Sequence, residues 1–458
     1  MKEREKLGSR LGFIILSASC AIGLGNIWRF PFFAGMFGGG IFVFFFTLFV
    51  FAIGVPILSM EFSIGRASGK SIVKAFEVLQ PKGSHWKIAG YAGILGNYAL
   101  MMFYLMVTGW MFAYIYRAIT GEFMGLEPDA IISVFTTMQA NAVENIIWTF
   151  IVCAIGFGVC AIGLQKGVER VNKLMMMGLM TLLLLLVLRS LTLPGAVEGV
   201  RFLFVPNPAA IEQFGIWRIM YEALGSAFFS ISVGMGAMLI FGSYISKEKR
   251  LMGESMLVAG LDILICFLAG LMIFPAVFAY GLDPASGPGL IFITLPNVFN
   301  AMPAGRLWAI VFFFFMSVAA TTTVIAVLEN LVANTMDVLG CSRKKACLGN
   351  MIALPILSLP AILGWSYWSH INPLGPGTNI QSLLDFIVSN NVLPLGSLIF
   401  LLFCMSKRGW GYAHFMSEVN TGDGLRFPTN FTFYFAYVVP VLLIAVFIMG
   451  YLQRFGLV

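Results

Sequence analysis

Long apolar segments separated by short polar connections dominate the chain. A helix that spans a bilayer needs about 20 mostly apolar residues, and eleven segments meet that requirement. They run from Leu11 to Met36, Gly40 to Ser68, Ile88 to Thr120, Asn145 to Leu164, Val171 to Leu191, Ile216 to Ile245, Gly253 to Gly281, Leu307 to Leu339, Leu348 to Trp365, Ile380 to Ser406 and Asn430 to Tyr451. The pattern predicts an all-α polytopic membrane protein with eleven transmembrane helices.

Basic residues occupy every second connection, and this bias predicts the orientation in the membrane. One set holds Lys and Arg within residues 2–10, 66–82, 166–173, 247–250, 343–345 and 407–408. The opposite set is poor in them, and residues 121–144 contain four acidic residues and no basic one. We expect a cytoplasmic N-terminus and, after an odd number of spans, Val458 outside. The run after Arg10 lacks a small-residue cleavage site, so the first span should be retained.

Composition agrees with a membrane protein and argues against other classes. Hydrophobic residues make up 59% of the chain and charged residues 11%, against about 25% charged in soluble domains. The net charge of +7 lies in clusters that flank apolar segments, which argues against a nucleic-acid partner. The seven cysteines form no disulfide framework. We find no metal-ligand cluster and no catalytic motif, so the chain is not expected to be an enzyme.

Two spans carry the same interruption near their middle. Gly23-Leu24-Gly25 lies in the first span and Gly234-Met235-Gly236 in the sixth. Two glycines in one turn weaken a helix by about 1 kcal/mol each relative to alanine. Close helix packing through small residues is one explanation. Matched breaks five spans apart instead favour an inverted repeat with a binding site at the midplane, where freed backbone groups can bind a solute and a cation.

Several polar residues lie inside predicted spans, where each needs a partner. Arg29 and Asp385 lie toward the outer side and could form an ion pair, although Arg29 could instead extend to the interface. Asp262 has no basic residue within two turns, so it must protonate or pair with a cation, or else serve as a hydrogen-bonded structural residue. Glu61 and Glu329 are interpreted as structural acceptors for backbone groups freed at a break. The remaining candidates are hydroxyls, at Tyr104 and at Thr321-Thr322-Thr323.

Residues 23–31, Gly23-Leu-Gly-Asn-Ile-Trp-Arg-Phe-Pro31, closely resemble the first-helix signature of the neurotransmitter:sodium symporters. That family includes the bacterial leucine transporter. Further matching segments are 38–40, 54–61 with 65–66, 166–170, 228–236, 292–296 and 342–344. The resemblance covers nearly the whole chain in order. It implies two five-helix inverted repeats with broken helices 1 and 6, followed here by one extra helix, as in the bacterial eleven-span transporters of leucine, tyrosine and other hydrophobic amino acids.

The resemblance also implies the division of the chain. Residues 1–10 would be a cytoplasmic segment, 11–191 the first repeat and 192–215 an extracellular connection. Residues 216–406 would be the second repeat, and 407–458 a cytoplasmic connection with the eleventh helix. We expect a multi-pass protein of the bacterial inner membrane, in contact with the lipid bilayer, and a homodimer is a candidate assembly.

Site roles follow from the resemblance, residue by residue. The substrate-binding residues would be Ala21, Leu24, Gly25, Leu100, Tyr104, Phe229, Ser230, Ser232, Met235, Thr323 and Val327. The first sodium ion would be held by Ala21, Asn26, Ser230 and Asp262. The second would be held by Ser19, Ile22, Ala319, Thr322 and Thr323, in the register that keeps Glu329 on the family's acidic or Gln position. The outer gate would be Arg29–Asp385 with Phe229 as a lid, and the inner gate Arg4–Asp337 with Tyr244 nearby.

Two departures from the family bear on the ions and the substrate. The bacterial leucine transporter has Asn where this chain has Asp262, and the positions that match the family's chloride ligands are Phe46, Ser226, Ser230 and Cys266. We therefore expect no chloride, with the Asp262 carboxylate balancing sodium. Met235 replaces a bulkier Phe, and no pocket residue is charged. The expected substrate is a large neutral L-amino acid, aromatic by preference, with tyrosine first.

The resemblance thus implies a sodium-coupled symporter that works by alternating access. Two other functions remain open. A proton-coupled amino-acid transporter would use Asp262 as its proton carrier. A membrane receptor or scaffold would bind a ligand without transporting it.

Overall fold

The computed structural model describes residues 7–281, 284, 289–430 and 432–455, and every regular element within them is a helix. In chain order these are α1 (Arg10–Ala21), α2 (Gly25–Met36), α3 (Gly40–Ser68), α4 (Ile72–Leu79), α5 (Lys87–Thr120), α6 (Pro128–Ala140), α7 (Ala142–Ile162), α8 (Leu164–Leu191), α9 (Ala196–Phe204), α10 (Ala209–Phe214), α11 (Ile216–Ser230), α12 (Ala237–Gly242), α13 (Leu251–Ala279), α14 (Leu290–Ala301), α15 (Gly305–Leu339), α16 (Arg343–Leu363), α17 (Ile380–Met405), α18 (Tyr412–Val419) and α19 (Tyr434–Leu452).

Each of the eleven predicted spans overlaps one helix or one interrupted pair. Among the described residues, nine helices are long and apolar enough to cross a membrane, and the α1–α2 pair, bent by 50°, raises the number to ten. The sixth predicted span consists of α11 and α12, which are separated by residues 231–236. Neither of these two helices reaches membrane length alone, so the total of eleven stays a prediction. The all-helical membrane fold itself is confirmed.

Short helices lie inside the connections that separate the spans. The sequence predicted no elements there, yet α6 lies within residues 121–144, α9 and α10 within 192–215, and α14 within 282–306. Pro128 is the first residue of α6, where a missing N–H costs nothing. These short helices cover the ends of the spans because their apolar faces pack on the bundle.

Helices α5 and α15 form the centre of the bundle. In the most apolar part of each, 72% and 78% of the residues are buried, against 33% in α8. The two pack along one another, and α1 packs on α15 and α13. The lipid-facing helices instead expose large apolar side chains, including Leu184, Leu188 and Ile352. Of the interrupted helices, α1 packs on α15, one of the two most buried helices, whereas α2 packs on α13 and both α11 and α12 pack on α3.

The second interruption packs backbone to backbone against α17. A Cβ on Gly396 of α17 would lie 1.8 Å from the Gly234 carbonyl oxygen, and a Cβ on Gly234 would lie 2.3 Å from the Leu393 oxygen. Backbone atoms cannot move aside as the end of a flexible side chain can. Glycine at 396 is therefore required by the close approach of α17 to residues 231–236.

Gly396→Ala should lower the free energy of unfolding by about 1–3 kcal/mol, because overpacked methyl groups displace the backbone. The matched control is Gly260→Ala in α13, where a Cβ meets nothing within 4 Å and alanine should stabilise the helix slightly. Thermal unfolding of the purified protein in detergent measures both. Equal melting temperatures for the two variants would contradict the close approach.

Candidate functional site

The first interruption frees backbone groups at Ile22, Gly23 and Leu24, and side chains satisfy them. Ile22 is extended, with φ −78° and ψ 97°. The Gly23 N–H donates to Asn26 Oδ1 at 3.1 Å, and the Leu24 N–H donates to the Tyr104 hydroxyl oxygen at 3.0 Å. These groups lie at the buried centre of the bundle, where an unpaired N–H would be costly.

The second interruption adopts backbone angles that a helix cannot. Ser232, Gly234 and Gly236 all have positive φ, of 53°, 98° and 71°. The Glu61 carboxyl group accepts from the Gly234 N–H at 2.6 Å and from the Leu239 N–H at 3.3 Å. The interpretation of Glu61 as an acceptor for groups freed at a break is therefore confirmed. Ser232 is the strained residue, because a side chain disfavours this region.

A hydroxyl group joins the two interruptions directly. Ser232 Oγ donates to the Cys20 carbonyl oxygen at 2.9 Å. The resemblance implied that Ser232 is one of the substrate-binding residues. In the structure its proton is committed to the first broken helix. The strained backbone of Ser232 is thus held by a hydrogen bond that connects α1 to the second interruption.

One buried cluster combines Asn26, Ser230, Asp262 and Cys266, none of which is exposed. Asn26 Nδ2 donates to Asp262 Oδ1 at 2.6 Å and to Ser230 Oγ at 3.1 Å. Ser230 Oγ donates to Asp262 Oδ2 at 2.7 Å. Carboxylate, hydroxyl and amide oxygens suit a hard cation. The four predicted ligands of the first sodium ion include three side chains that meet here, and Ala21 lies at the end of α1 beside them.

The second oxygen cluster lies between α15 and the first interruption. Thr323 Oγ1 donates to the Ser19 carbonyl oxygen at 3.0 Å and to that of Ile22 at 3.2 Å. Thr322 Oγ1 bonds back to the Ala319 oxygen at 2.7 Å. Of the three consecutive threonines, Thr323 is therefore the one that faces α1. The five residues predicted for the second sodium ion contribute two hydroxyls and three carbonyls to this region.

A cavity of about 330 Å³ lies on the outer side of the interruptions. Leu24, Tyr104 and Phe229 line it, together with Arg29, Asp385 and aromatic residues that include Trp28, Trp110 and Trp365. The other predicted pocket residues, Leu100, Met235, Thr323 and Val327, are buried and do not line this cavity. Gly25 packs on Phe229, whose ring would lie 3.0 Å from a Cβ there.

Arg29 and Asp385 form the ion pair that the sequence suggested. Arg29 Nη1 lies 2.9 Å from Asp385 Oδ1, and the Arg29 side chain is 14% exposed, so it does not extend into solvent. Its guanidinium group lies 4.8 Å from the centre of the Phe229 ring, which favours a cation–π contact. Ser389 Oγ donates to Asp385 at 2.7 Å. The pair and the Phe229 ring together bound the cavity.

The inner polar contacts differ from the sequence prediction at Glu329. This buried carboxylate binds Arg343 through two bonds of 2.7 and 2.9 Å and accepts from the Tyr244 hydroxyl at 2.9 Å. Glu329 is a structural acceptor, as the sequence indicated, but its donors are the side chains of Arg343 and Tyr244 and not backbone groups freed at a break. Asp337 Oδ2 accepts from the Ser71 N–H at 2.7 Å. The predicted partner of Asp337, Arg4, lies outside the described residues, as does Val458.

Sequence reasoning missed Asn97. This residue is fully buried in α5, and its Nδ2 donates to the Met235 carbonyl oxygen at 2.9 Å and to that of Gly93 at 2.8 Å. A buried asparagine two turns before Tyr104 was the available signal. Only the fold shows that the second interruption passes beside it.

The sodium:neurotransmitter symporter family matches residues 4–127 and 131–455 of the chain. An uncharacterised sodium-dependent transporter of Bacillus subtilis is 34% identical over 442 residues, which cover 96% of both chains. A human sodium- and chloride-dependent taurine transporter is 24% identical over 97% of this chain and 78% of its own. The crystal structure of MhsT in complex with L-phenylalanine has a TM-score of 0.88 and 37% identity, and the match covers 98% of this chain and all of that one. The chain belongs to the sodium:neurotransmitter symporter family, and it is a multi-pass membrane transporter rather than an enzyme.

Glu61→Ala should lower the free energy of unfolding by about 1.5–3 kcal/mol, because two backbone N–H groups of the second interruption lose a shared acceptor. Glu61→Gln keeps one acceptor oxygen and should lose less. Thermal unfolding in detergent measures the series. The order would be contradicted if the alanine variant were as stable as the glutamine variant.

Proposed function

We propose that this chain imports a large neutral L-amino acid, aromatic by preference and with tyrosine first, together with sodium. The observation that carries the proposal is the position of two oxygen clusters beside two interrupted helices, next to buried residues without charge. Freed backbone N–H groups at Leu24 and Gly25 suit a carboxylate. On substrate binding the Leu24 N–H would turn from the Tyr104 hydroxyl oxygen, which it now meets at 3.0 Å, to the carboxylate, and the Tyr104 hydroxyl would donate its proton to the same group.

The sodium ions would be substrates of the transport cycle. The Ala21 carbonyl, Asn26, Ser230 and Asp262 would hold one of them, and the substrate carboxylate would complete its shell. For a cation to bind, Asn26 must present Oδ1 rather than the Nδ2 that now faces Asp262. A rotation of the amide achieves this. Ser19, Ile22, Ala319, Thr322 and Thr323 would hold the second ion.

The residues of the proposed side-chain pocket support a large neutral substrate. Leu100, Met235 and Val327 supply apolar surface, and Thr323 supplies a hydroxyl. Met235 is unbranched and adaptable, so it can make room for a ring. MhsT was crystallised with L-phenylalanine, which supports an amino acid with an apolar or aromatic side chain.

Alternating access would follow from the contacts that close each side. The Arg29–Asp385 pair and Phe229 close the site from outside, and opening of the inner contacts around Asp337 and Tyr244 would release the substrates. Sodium entry contributes about 2.3 kcal/mol per charge for each 100 mV of membrane potential. We infer location in a bacterial inner membrane with the N-terminus inside and the C-terminus outside, and possible homodimers.

Proteoliposomes with an inward sodium gradient should accumulate L-tyrosine and L-phenylalanine, and removal of sodium should abolish accumulation. Radiolabelled uptake with each of the twenty amino acids as competitor measures the specificity. Tenfold better competition by alanine or glycine would contradict the proposed substrate class. Uptake that persists in sodium-free acidic buffer would favour proton coupling, and binding without accumulation would favour a receptor.

Chloride independence is proposed because Asp262 brings a fixed carboxylate into the first cluster. The positions that match the chloride ligands of relatives include Phe46, which cannot donate a hydrogen bond from its side chain, and Cys266, whose thiol is a weak donor. A carboxylate next to the sodium ion removes the need for a mobile anion, because both supply one negative charge.

Asp262→Ser should convert chloride-independent uptake into chloride-dependent uptake, since the variant lacks the fixed charge. Sodium-driven uptake in chloride and in gluconate medium measures the change, with the wild-type protein as the control. We expect at least a fivefold higher rate in chloride for the variant and equal rates for the wild type. A variant that transports equally well in both media would show the idea to be wrong.

A further inference from the structure

Asn97 lies where α5 meets the second interruption. Tyr104 lies seven residues later on the same helix, which is about two turns and places both side chains on one face. Tyr104 contacts the first interruption at the Leu24 N–H, at 3.0 Å, and Asn97 contacts the second at the Met235 carbonyl, at 2.9 Å. One face of α5 therefore binds both interruptions through their backbone.

The turn of α5 from Gly93 to Asn97 fits the Met235 backbone in two ways. A Cβ on Gly93 would lie 3.1 Å from the Met235 oxygen, so glycine leaves the space that this carbonyl needs. Asn97 then supplies the donor. The Met235 carbonyl lies between two glycines with positive φ, in a segment whose groups must find partners outside their own helix.

The bonding of Asn97 shows that its amide serves as a donor. Nδ2 contacts two carbonyl oxygens, those of Gly93 and Met235, which fixes which branch of the amide is the nitrogen. Oδ1 is buried and has no hydrogen-bond partner. Leaving such an acceptor unpaired is unfavourable. A leucine of nearly the same shape would avoid that cost, but it would lose the bond to Met235.

Asn172 of α8 provides a comparison within the same chain. It is also fully buried, its Nδ2 donates to the Val168 carbonyl four residues earlier at 3.0 Å, and its Oδ1 has no partner. Among the described residues, this is the only hydrogen bond that the Asn172 side chain makes. An unpaired side-chain oxygen is therefore no evidence of a special role. What distinguishes Asn97 from Asn172 is the hydrogen bond from Asn97 to the Met235 carbonyl.

We propose that Asn97 is a positioning residue for substrate selectivity, because it holds the Met235 backbone and so sets where the Met235 side chain limits the substrate pocket. This inference rests on the proposed function, in which Met235 borders the side chain of the transported amino acid. Asn97 itself need not touch the substrate. Its loss should alter the recognition of large side chains while leaving the carboxylate and sodium end of the site, at Tyr104 and Asn26, unchanged.

The test compares Asn97→Leu with Asn172→Leu in proteoliposomes. Loss of one buried hydrogen bond corresponds to about a fivefold change in binding. We expect the KM for L-phenylalanine to rise about fivefold in Asn97→Leu with kcat nearly unchanged. The inhibition constant for L-alanine and the half-saturating sodium concentration at saturating substrate should change less than twofold. Asn172→Leu should match the wild type in all three.

Equal losses for phenylalanine and alanine, or the same change in Asn172→Leu, would overturn the proposal, as would a wild-type pattern in Asn97→Leu. If Asn97→Leu is poorly produced, Asn97→Ala replaces it. Failure of the wild-type protein to take up any large neutral amino acid would instead contradict the proposed function.

Hydrogen–deuterium exchange tests the positioning role without any substrate. In Asn97→Leu, peptides that cover residues 231–236 should exchange at least fivefold faster, because the segment has lost one of its anchors, while residues 22–26 keep the wild-type rate. Faster exchange in both segments would indicate general destabilisation and overturn the proposal. Unchanged exchange in residues 231–236 would overturn it as well.

Discussion

Every backbone group that a broken helix frees inside a membrane must find a partner, and the rest of the structure follows from that constraint. The first interruption is satisfied by Asn26 and Tyr104, and the second by Glu61 and Asn97. Three of these four side chains come from other helices. The interruptions are therefore stable only within the assembled bundle, and neither would persist in an isolated helix.

The same contacts position the groups proposed to bind the ions and the substrate. Because Tyr104 and Thr323 both face Gly23, where a Cβ would lie 2.6 and 2.1 Å from their hydroxyl oxygens, only glycine fits between α5 and α15. Ser232 then connects the two interruptions through the Cys20 carbonyl. The oxygen clusters around Asp262 and Thr323 lie on either side of this junction. Movement of α1 would therefore change the distances within both clusters.

Charged pairs at the two ends of the bundle have different surroundings. Arg29 and Asp385 lie at the rim of a cavity, and Asp385 is 36% exposed, so solvent weakens their attraction. Glu329 is fully buried and needs both Arg343 and Tyr244 to balance its desolvation. The outer pair is therefore the weaker of the two contacts, whereas the Glu329 cluster holds α15 and α16 together.

The sequence by itself determined the class of fold, the approximate ends of the spans and the place of both interruptions. The length of an apolar segment and the presence of paired glycines are local properties of the sequence, and they do not depend on how the helices pack. The Arg29–Asp385 pair was suggested by two charges inside predicted spans, and the grouping of Asn26, Ser230 and Asp262 came from the resemblance to the family. Both agree with the contacts found.

Only the tertiary structure decided which partner each buried polar group takes. Arg343 rather than a freed backbone group meets Glu329, the Ser232 hydroxyl turns to Cys20, and Asn97 meets Met235 across 138 positions of sequence. The span total was also left open, because the sixth helix divides into two pieces that are each too short to cross a membrane. The physical reason is common to all of these cases. Hydrogen bonds between helices depend on which helix faces which, and a linear pattern of residues does not contain that information.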